Sequence, residues 1–339
     1  MSDKKIACCF YPTKVIVIDD QQSYLNRISL EIGKDIDIDC FAEAKEAVDF
    51  LKKQPKVDFL SSKLLSSLKD RENIGDLEND YIERAYTAIN VFDIHKMIYN
   101  TDRFKQIIVI IVDYAMPEMD GLQVSEALKN IPFKIIMLTG KAPPDVVIKA
   151  FNAGFIHRYV SKDSSDFKKE LENAIFDLQK AYFYESSETA IKSLAISPTS
   201  CLGDTKFAEF FNEFCRKENV VEYYLMNEAG SYLLLDMQGN PSILAVKTER
   251  DMSEYAEIAR DYDAPQKITE ALTSYKKLLF LFNEDDQYNV PIENWDDYSY
   301  PATKLKGDKD IFYYSHIKNV DKYDIDKSKI VSYQSFLEA

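Results

Sequence analysis

The chain has 339 residues, which is enough for about two domains of ordinary size. Hydrophobic residues make up 46% and charged residues 29%, a globular composition that excludes a disordered or fibrous protein. The formal charge of −15 disfavours nucleic acids and anionic membranes as partners, because both are bound by clustered Lys and Arg. No apolar run approaches the ~20 residues that cross a bilayer, so we expect no membrane segment.

Five cysteines without CxxC spacing indicate reduced thiols and a cytoplasmic protein. We interpret the vicinal pair Cys8 and Cys9 as two idle thiols in a frayed N-terminus rather than as a redox pair. The opening segment has no apolar core of the length that a secretion signal requires. The three histidines are far apart in the sequence, which argues against a zinc site.

The first half of the chain alternates between short apolar runs and helical patterns. Continuous apolar runs, typical of parallel strands buried on both faces, occur at residues 14–18, 36–41, 107–112, 135–138 and 158–161. Apolar residues with helical spacing occur at residues 22–32, 42–53, 122–128, 144–153 and 167–194. This alternation predicts an α/β fold built on a parallel five-stranded sheet.

Polar residues stand where these runs end: Asp19, Asp20, Asp113, Thr139 and Lys162. Ligands of parallel sheets bind at the carboxyl ends of the strands, so we expect all five side chains to converge on one edge. Three close carboxylates repel one another unless a hard cation such as Mg²⁺ neutralises them, while Lys and Thr can bind phosphoryl oxygens. Any one of these residues alone is better interpreted as a helix cap, but five together favour a functional site.

The stretches VIVIDD, VDYAMPEMDG, MLTG and YVSKD together resemble the receiver domain of two-component response regulators, over residues 13–180. This resemblance implies a flavodoxin-like, doubly wound fold. It also implies a protein that accepts a phosphoryl group on Asp113, with Mg²⁺, from a histidine kinase or a phosphotransfer protein.

The same resemblance implies a role for each matching residue. Asp20 would bind Mg²⁺ directly and Asp19 through water, and Asp113 and the Ala115 backbone carbonyl would complete the metal ligands. Lys162 would pair with the phosphoryl group, and Thr139 would reorient to bond it. Tyr159 would be an aromatic switch that turns inward.

Two features depart from the family pattern. Asp163 stands where a proline usually follows the lysine, so the peptide after Lys162 is expected to be either trans or strained. The 93 positions from Asp20 to Asp113 are also about twice the number that one strand and two helices need. The excess, at residues 55–104, is predicted to be a helical insertion, either a decoration of its own domain or a dimerisation or docking element.

Beyond the receiver-like part, residues 181–203 are predicted to be a helical linker and residues 204–339 an α+β output or interaction domain with an antiparallel sheet. Strand patterns in this second half occur at residues 220–226, 231–236, 242–247, 277–282 and 312–317, and helical patterns at 249–261 and 265–274.

A homodimer is predicted from the helical insertion and from the spacing of Leu171, Ile175, Leu178 and Tyr182. That spacing fits a short coiled-coil seam, and it fits a packing face inside one domain equally well.

The leading hypothesis is a cytoplasmic response regulator that passes its phosphorylation state to the output domain or to a downstream protein partner. It would catalyse only its own phosphoryl transfer and dephosphorylation. The alternative is an enzyme that acts on nucleotides or nucleic acid through the second half. Its candidate site is Asp236, Glu249 and Lys247 with Glu222, although exposed surface charges are the preferred interpretation of these four residues.

Overall fold

The structure, a computed structural model, describes residues 4–32, 34–54, 94–140, 144–194, 200–282 and 294–339. Apart from these gaps, the chain divides into two units, each with its own sheet. Residues 11–54, 101–185 and 333–339 form the parallel-sheet unit, and residues 4–10, 94–100, 186–282 and 294–332 form the antiparallel-sheet unit. Most of the predicted helical insertion at 55–104 lies outside the described residues, and its last part contains two 3₁₀ turns, His95–Tyr99 and Arg103–Lys105.

Strand β1 (Cys9–Phe10) belongs to the antiparallel-sheet unit. The parallel-sheet unit then follows in chain order: β2 (Lys14–Ile18), α1 (Gln22–Ile32), β3 (Ile38–Phe41), α2 (Ala44–Lys53), β4 (Ile107–Asp113), α3 (Gly121–Leu128), β5 (Lys134–Thr139), α4 (Pro144–Asn152), β6 (Arg158–Ser161) and α5 (Phe167–Leu194), of which residues 186–194 belong to the antiparallel-sheet unit. Its five strands are all parallel, in the order β3-β2-β4-β5-β6. The prediction of a flavodoxin-like parallel sheet is therefore confirmed.

The register of this sheet brings the ends of its central strands level. Ile18 lies beside Val112, Asp113 beside Leu138, and Thr139 beside Ser161. The three strands β2, β4 and β5 are runs of mostly apolar residues that are almost fully buried, as expected of strands covered by helices on both faces. A polar residue that follows such a strand is therefore held at one defined edge by a rigid core.

The seam predicted on α5 is a packing face within the unit. Leu171, Ile175, Leu178 and Tyr182 are each at most 6% exposed in the single chain. The Tyr182 hydroxyl also accepts a hydrogen bond of 3.1 Å from the Gln106 side-chain amide. These residues are buried against their own unit, so the coiled-coil interpretation of the spacing is not supported.

The antiparallel-sheet unit continues with α6 (Thr205–Lys217), β7 (Glu222–Leu225), β8 (Tyr232–Leu235), β9 (Pro241–Thr248), α7 (Glu249–Asp261), α8 (Gln266–Thr273), β10 (Lys277–Leu279), β11 (Ser299–Pro301), β12 (Thr303–Lys306) and β13 (Ile311–Ile317). Six strands form one antiparallel sheet in the order β1-β7-β8-β9-β13-β12, and β10 pairs with β11. The antiparallel sheet predicted for the second half is thus confirmed. None of the described helices combines the length and hydropathy of a membrane-spanning segment.

The N-terminal segment corrects the prediction of a frayed end. Cys9 pairs with Tyr224 across β1 and β7, and the Cys8 N–H donates a 3.1 Å hydrogen bond to Ser187 Oγ. Both thiols are fully buried, and burial raises the pKa of Cys8 to about 12. Cys8 is therefore an uncharged part of the core, and its thiol is not a reactive nucleophile.

The C-terminal segment contributes a short helix, α9 (Tyr333–Leu337), to the parallel-sheet unit. The Tyr333 hydroxyl accepts a hydrogen bond of 3.2 Å from the Asp37 N–H, and the Tyr333 ring packs against Phe104 with 5.0 Å between centroids. Each unit thus includes a segment from the opposite end of the chain, which the predicted domain boundaries of 13–180 and 204–339 leave out.

Candidate functional site

Five polar residues meet at the carboxyl edge of the parallel sheet, as the sequence predicts. Asp19 and Asp20 follow β2, Asp113 ends β4, Thr139 ends β5, and Lys162 follows β6. The level strand ends and the short connections place these groups without any contribution from a long loop. Asp19, Asp113 and Thr139 are buried, whereas Asp20 is exposed.

Lys162 joins the two buried aspartates. Its Nζ lies 2.5 Å from Asp19 Oδ2 and 2.8 Å from Asp113 Oδ1, and its side chain is only 14% exposed. Burial raises the pKa of Asp19, although hydrogen bonds from Lys162 and from the Gln21 N–H act in the opposite direction. One ammonium therefore bridges two carboxylates in a poorly solvated place, where electrostatic interactions are strong.

Backbone groups hold the remaining carboxylate oxygens. The Ala115 N–H donates to Asp113 Oδ2 at 3.1 Å, and the Gln21 N–H donates to Asp19 Oδ1 at 2.9 Å. Gly121 lies directly against this segment, because a Cβ at its position would be 2.5 Å from the Asp113 carbonyl oxygen. The start of α3 therefore packs on the backbone of Asp113 and fixes where its side chain points.

The three aspartates form an acidic cluster. Carboxylate oxygens of Asp19, Asp20 and Asp113 lie within 4.8 Å of one another, and within the described part of the chain this is the one group of acids, histidines or cysteines that could share a metal ion. Lys162 supplies one positive charge against three carboxylates. The all-oxygen donor set and the exposed position of Asp20 fit a hard divalent cation such as Mg²⁺.

Thr139 and Tyr159 lie on neighbouring strands but in different surroundings. Thr139 is 1% exposed, and its carbonyl accepts a hydrogen bond of 3.2 Å from the Lys162 N–H. Tyr159, opposite Met137 in the sheet, is 44% exposed. The residue assigned as a switch by resemblance therefore points outward here.

The loop after Lys162 contains no cis peptide bond, so of the two alternatives raised by Asp163 the structure adopts the trans one. The Asp163 carboxylate faces Gly140, where an added Cβ would lie 3.2 Å from its Oδ2. Asp163 therefore lies close to the segment that follows Thr139, and a larger residue at position 140 would crowd it.

Sequence reasoning missed Tyr24. The Lys162 Nζ lies 4.1 Å from the centroid of the Tyr24 ring, in the range of cation–π contacts. In the sequence, Tyr24 is only one of several apolar residues with helical spacing on α1. Its position in the first turn of α1, the helix that follows Asp20, is the available signal, since side chains there point back toward the strand ends.

The candidate site in the second half does not form. Asp236 accepts hydrogen bonds from the Gln238 and Asn240 backbone N–H groups, both at 2.9 Å, so it stabilises a turn. Glu222 and Lys247 are 0% and 5% exposed, so the interpretation of these two as exposed surface charges is wrong.

Each of the three remaining residues has a different hydrogen-bond partner. Glu222 Oε2 accepts from the Tyr224 hydroxyl at 2.5 Å, the Lys247 ammonium donates to the Tyr255 hydroxyl at 2.9 Å, and Glu249 Oε1 accepts from the Tyr313 hydroxyl at 3.3 Å. In each of these three bonds the partner is an aromatic hydroxyl, which indicates a structural role.

The chain was compared with protein families and with curated protein sequences. Residues 70–175 match the family model of the response regulator receiver domain, a stretch that includes Asp113, Thr139 and Lys162. Asp19 and Asp20 precede this stretch but belong to the same sheet edge. No curated protein sequence matches the chain.

Among solved structures, the chain is similar to the Legionella pneumophila response regulator LqsR. The two are 30% identical, with a TM-score of 0.78, over 98% of this chain and 95% of that one. The receiver domain of an HD domain-containing protein from Pseudomonas fluorescens is 17% identical over 50% of this chain and 97% of its own, with a TM-score of 0.33. Vibrio cholerae CheY4 is 16% identical over 49% of this chain and 98% of its own, with a TM-score of 0.31.

Proposed function

This chain belongs to the response regulator family, and we propose that within it the protein is a phosphorylation-controlled switch whose phosphoacceptor is Asp113. The observation that supports this most directly is the Lys162 ammonium, which lies within hydrogen-bond distance of both Asp19 and Asp113 at the sheet edge. An acceptor carboxylate, a cation for the incoming phosphoryl oxygens and acids for a divalent metal are then side by side.

In the proposed reaction, a carboxylate oxygen of Asp113 attacks phosphorus, and a new P–O bond forms. The P–N bond of a phosphohistidine, or the P–O bond of acetyl phosphate, breaks, and imidazole or acetate leaves. Water later attacks the phosphoaspartate, which releases inorganic phosphate and restores the carboxylate. Most of the catalysis in such a transfer comes from positioning and from neutralising charge on the phosphoryl oxygens.

Residues of the chain supply that positioning. The Ala115 N–H holds one oxygen of Asp113, and Lys162 can turn from its carboxylate partners to the oxygens of the arriving group. Thr139, one strand away, supplies a hydroxyl for the same oxygens. A Mg²⁺ ion held by Asp19, Asp20, Asp113 and the Ala115 carbonyl would supply the neutralising charge when bound.

The test uses the full-length chain, acetyl phosphate and Mg²⁺, with intact-protein mass spectrometry. We expect one phosphoryl group to be added per chain. No labelling is expected when the metal is chelated, or when Asp113→Asn replaces the wild type. Asp49→Asn, which changes an exposed aspartate on α2, is the matched control and should keep full labelling. Undiminished labelling of Asp113→Asn would show that another residue is the acceptor.

The partners that this proposal requires are a histidine kinase or phosphotransfer protein upstream and a protein partner downstream. In the proposal the chain catalyses only its own phosphoryl transfer and dephosphorylation, and it works in the cytoplasm, where its thiols stay reduced. The output half would act through contacts, since the described residues of that half hold no convergent acidic site of the kind a nuclease uses.

Homodimerisation is part of the proposal. Four of the large exposed apolar side chains lie on three consecutive elements, α4, β6 and α5: Ile148, Phe151, Tyr159 and Phe176. Their exposed fractions run from 44% to 58%, and we assign these apolar side chains to the interface with a second copy. Light scattering of the phosphorylated, reduced protein should give about twice 39.2 kDa, and a single-chain mass in both phosphorylation states would exclude a dimer.

A further inference from the structure

Tyr24 contacts the proposed phosphorylation site through its ring. The Lys162 ammonium lies 4.1 Å from the ring centroid while it is also bonded to Asp19 and Asp113. A cation held over an aromatic face in a poorly solvated place is stabilised there by the ring quadrupole. The ring of Phe167 packs against Tyr24 edge-on, with 6.1 Å between centroids, so the aromatic face is itself held in place.

The hydroxyl of Tyr24 is a second, independent feature. It is buried, and it has no hydrogen-bond partner within the described part of the chain. Burial, followed by the negative charges of Asp19 and Asp113, raises the pKa of Tyr24, so the phenol keeps its proton. Burying a hydroxyl without a hydrogen-bond partner costs free energy. A bound ligand with acceptor oxygens would remove that cost by accepting a hydrogen bond from the hydroxyl.

We propose that Tyr24 takes part in phosphoryl transfer in two ways: its ring positions Lys162 beside the acceptor aspartate, and its hydroxyl donates a hydrogen bond to the transferred phosphoryl group. This inference rests on the proposed function, because it assigns Tyr24 a part in the same reaction. Charge that develops on the phosphoryl oxygens in the transition state is stabilised by donors that are already in place.

The geometry also predicts an effect on metal binding. Lys162 neutralises the same two carboxylates that a divalent cation would use. Without the Tyr24 ring, the lysine is held less firmly, so it competes less well with the metal. Loss of the ring should therefore slow transfer while leaving Mg²⁺ affinity as high as before or higher, a split that general damage to the site would not produce.

The experiment compares the full-length wild type with Tyr24→Phe and Tyr24→Leu, using the initial rate of labelling by acetyl phosphate at saturating Mg²⁺. Tyr24→Phe keeps the ring and loses the donor, and we expect it to be about threefold to fivefold slower. Tyr24→Leu loses both, and we expect a rate at least tenfold lower. Tyr262→Leu, which changes an exposed tyrosine on the antiparallel-sheet unit, should label at the wild-type rate.

A parallel calorimetric titration with Mg²⁺ alone, without a phosphoryl donor, measures the affinity of each variant. Slow labelling of Tyr24→Leu together with weakened Mg²⁺ binding would mean that Tyr24 only maintains the fold, and it would overturn the inference. Equal rates for all three proteins would also overturn it, and a wild-type rate for Tyr24→Phe alone would remove the role of the hydroxyl. If the wild type is not labelled at all, the proposed function itself fails.

Discussion

The two units of the chain treat their buried polar groups differently. In the parallel-sheet unit, Asp19, Asp113 and Lys162 come from three separate strand ends and gather at one place. In the antiparallel-sheet unit, the fully buried acid Glu222 instead accepts a hydrogen bond from Tyr224, two residues along the same strand. The first arrangement leaves charged groups where a ligand can bind them, while in the second the acid is hydrogen-bonded within the fold.

Strand direction explains this contrast. All strands of a parallel sheet end at the same edge, so polar residues that follow them converge there. Neighbouring strands of an antiparallel sheet end at opposite edges, so acids that follow them are dispersed. Asp236 follows β8 and accepts hydrogen bonds within its own turn, whereas Glu249 follows β9 and accepts a hydrogen bond from Tyr313 on β13.

The largest effect on labelling is expected where Gly121 packs against the backbone of Asp113. In Gly121→Ala, the added methyl would lie 2.5 Å from the Asp113 carbonyl oxygen, so the end of β4 must shift. We expect labelling of Asp113 to fall at least tenfold, and the free energy of unfolding of the parallel-sheet unit to fall by about 1–3 kcal/mol. Initial labelling rates and hydrogen exchange of the β4 amides would measure these two changes.

Gly154→Ala is the control for that variant. Gly154 belongs to the same unit and has a φ of +72°, but an added Cβ there meets nothing within 4 Å. This substitution should destabilise the unit by about 1 kcal/mol through backbone strain alone, with labelling unchanged. Equal losses of labelling in the two variants would show that the response depends on stability and not on the contact with Asp113.

A smaller effect, confined to the other unit, is expected for Tyr224→Phe. The hydroxyl that this change removes donates to Glu222, whose side chain is fully buried. Loss of a donor to a buried carboxylate should reduce the free energy of unfolding of the antiparallel-sheet unit by about 1–3 kcal/mol. Fluorescence of Trp295, the single tryptophan, would follow this unit during chemical denaturation, and labelling of Asp113 should not change.

The two units should also respond differently to acid. Burial lowers the pKa of His157 in the parallel-sheet unit and of His316 in the antiparallel-sheet unit. Below the ordinary value of 6.5, the unfolded chain then binds protons that the folded chain does not, so stability falls as the pH falls. Burial also raises the pKa of Asp19 and Asp37, so as the pH falls these two bind protons at a higher pH in the folded chain than in the unfolded chain. Their protonation therefore opposes the loss of stability.

Because the raised aspartates are in the parallel-sheet unit, we expect the antiparallel-sheet unit to lose more stability between pH 7 and pH 4.5. Trp295 fluorescence and hydrogen exchange of β4 would report the two units separately. His316→Gln should flatten the dependence for the antiparallel-sheet unit only. If both units lose stability equally, or if His316→Gln changes neither, then the buried histidine does not control this response.

The difference between parallel and antiparallel strands also explains how much of each unit could be predicted. The apolar runs that end before Asp19 and at Asp113, together with the weaker run before Lys162, predict the parallel sheet and its edge. The strands and the meeting of the predicted residues therefore follow from the sequence. The burial of Glu222 does not, because an acid on a strand is ordinarily exposed. Tyr224, two residues later and on the same face, is the partner that could have indicated it.

Tyr24 could not be assigned from sequence for a different reason. Its contact joins α1 to a lysine 138 positions later, and no local pattern records which helical face meets that lysine. The two-residue strand β1 was missed because a run this short has no measurable period. Both features depend on tertiary packing, which overrides local preference.

The smallest change in stability is expected for Tyr159→Ala, which separates accepting a phosphoryl group from responding to it. Tyr159 is 44% exposed and lies one strand from the site, so its removal should change the free energy of unfolding by less than about 0.5 kcal/mol. Labelling of Asp113 should proceed at the wild-type rate, since Tyr159 has no described contact with Asp113 or Lys162. If the tyrosine turns inward when Thr139 bonds the phosphoryl group, phosphorylation should change hydrogen exchange of the β6 amides in the wild type and leave it unchanged in the variant. An equal change in both proteins would show that the response leaves the site by a route that does not include Tyr159.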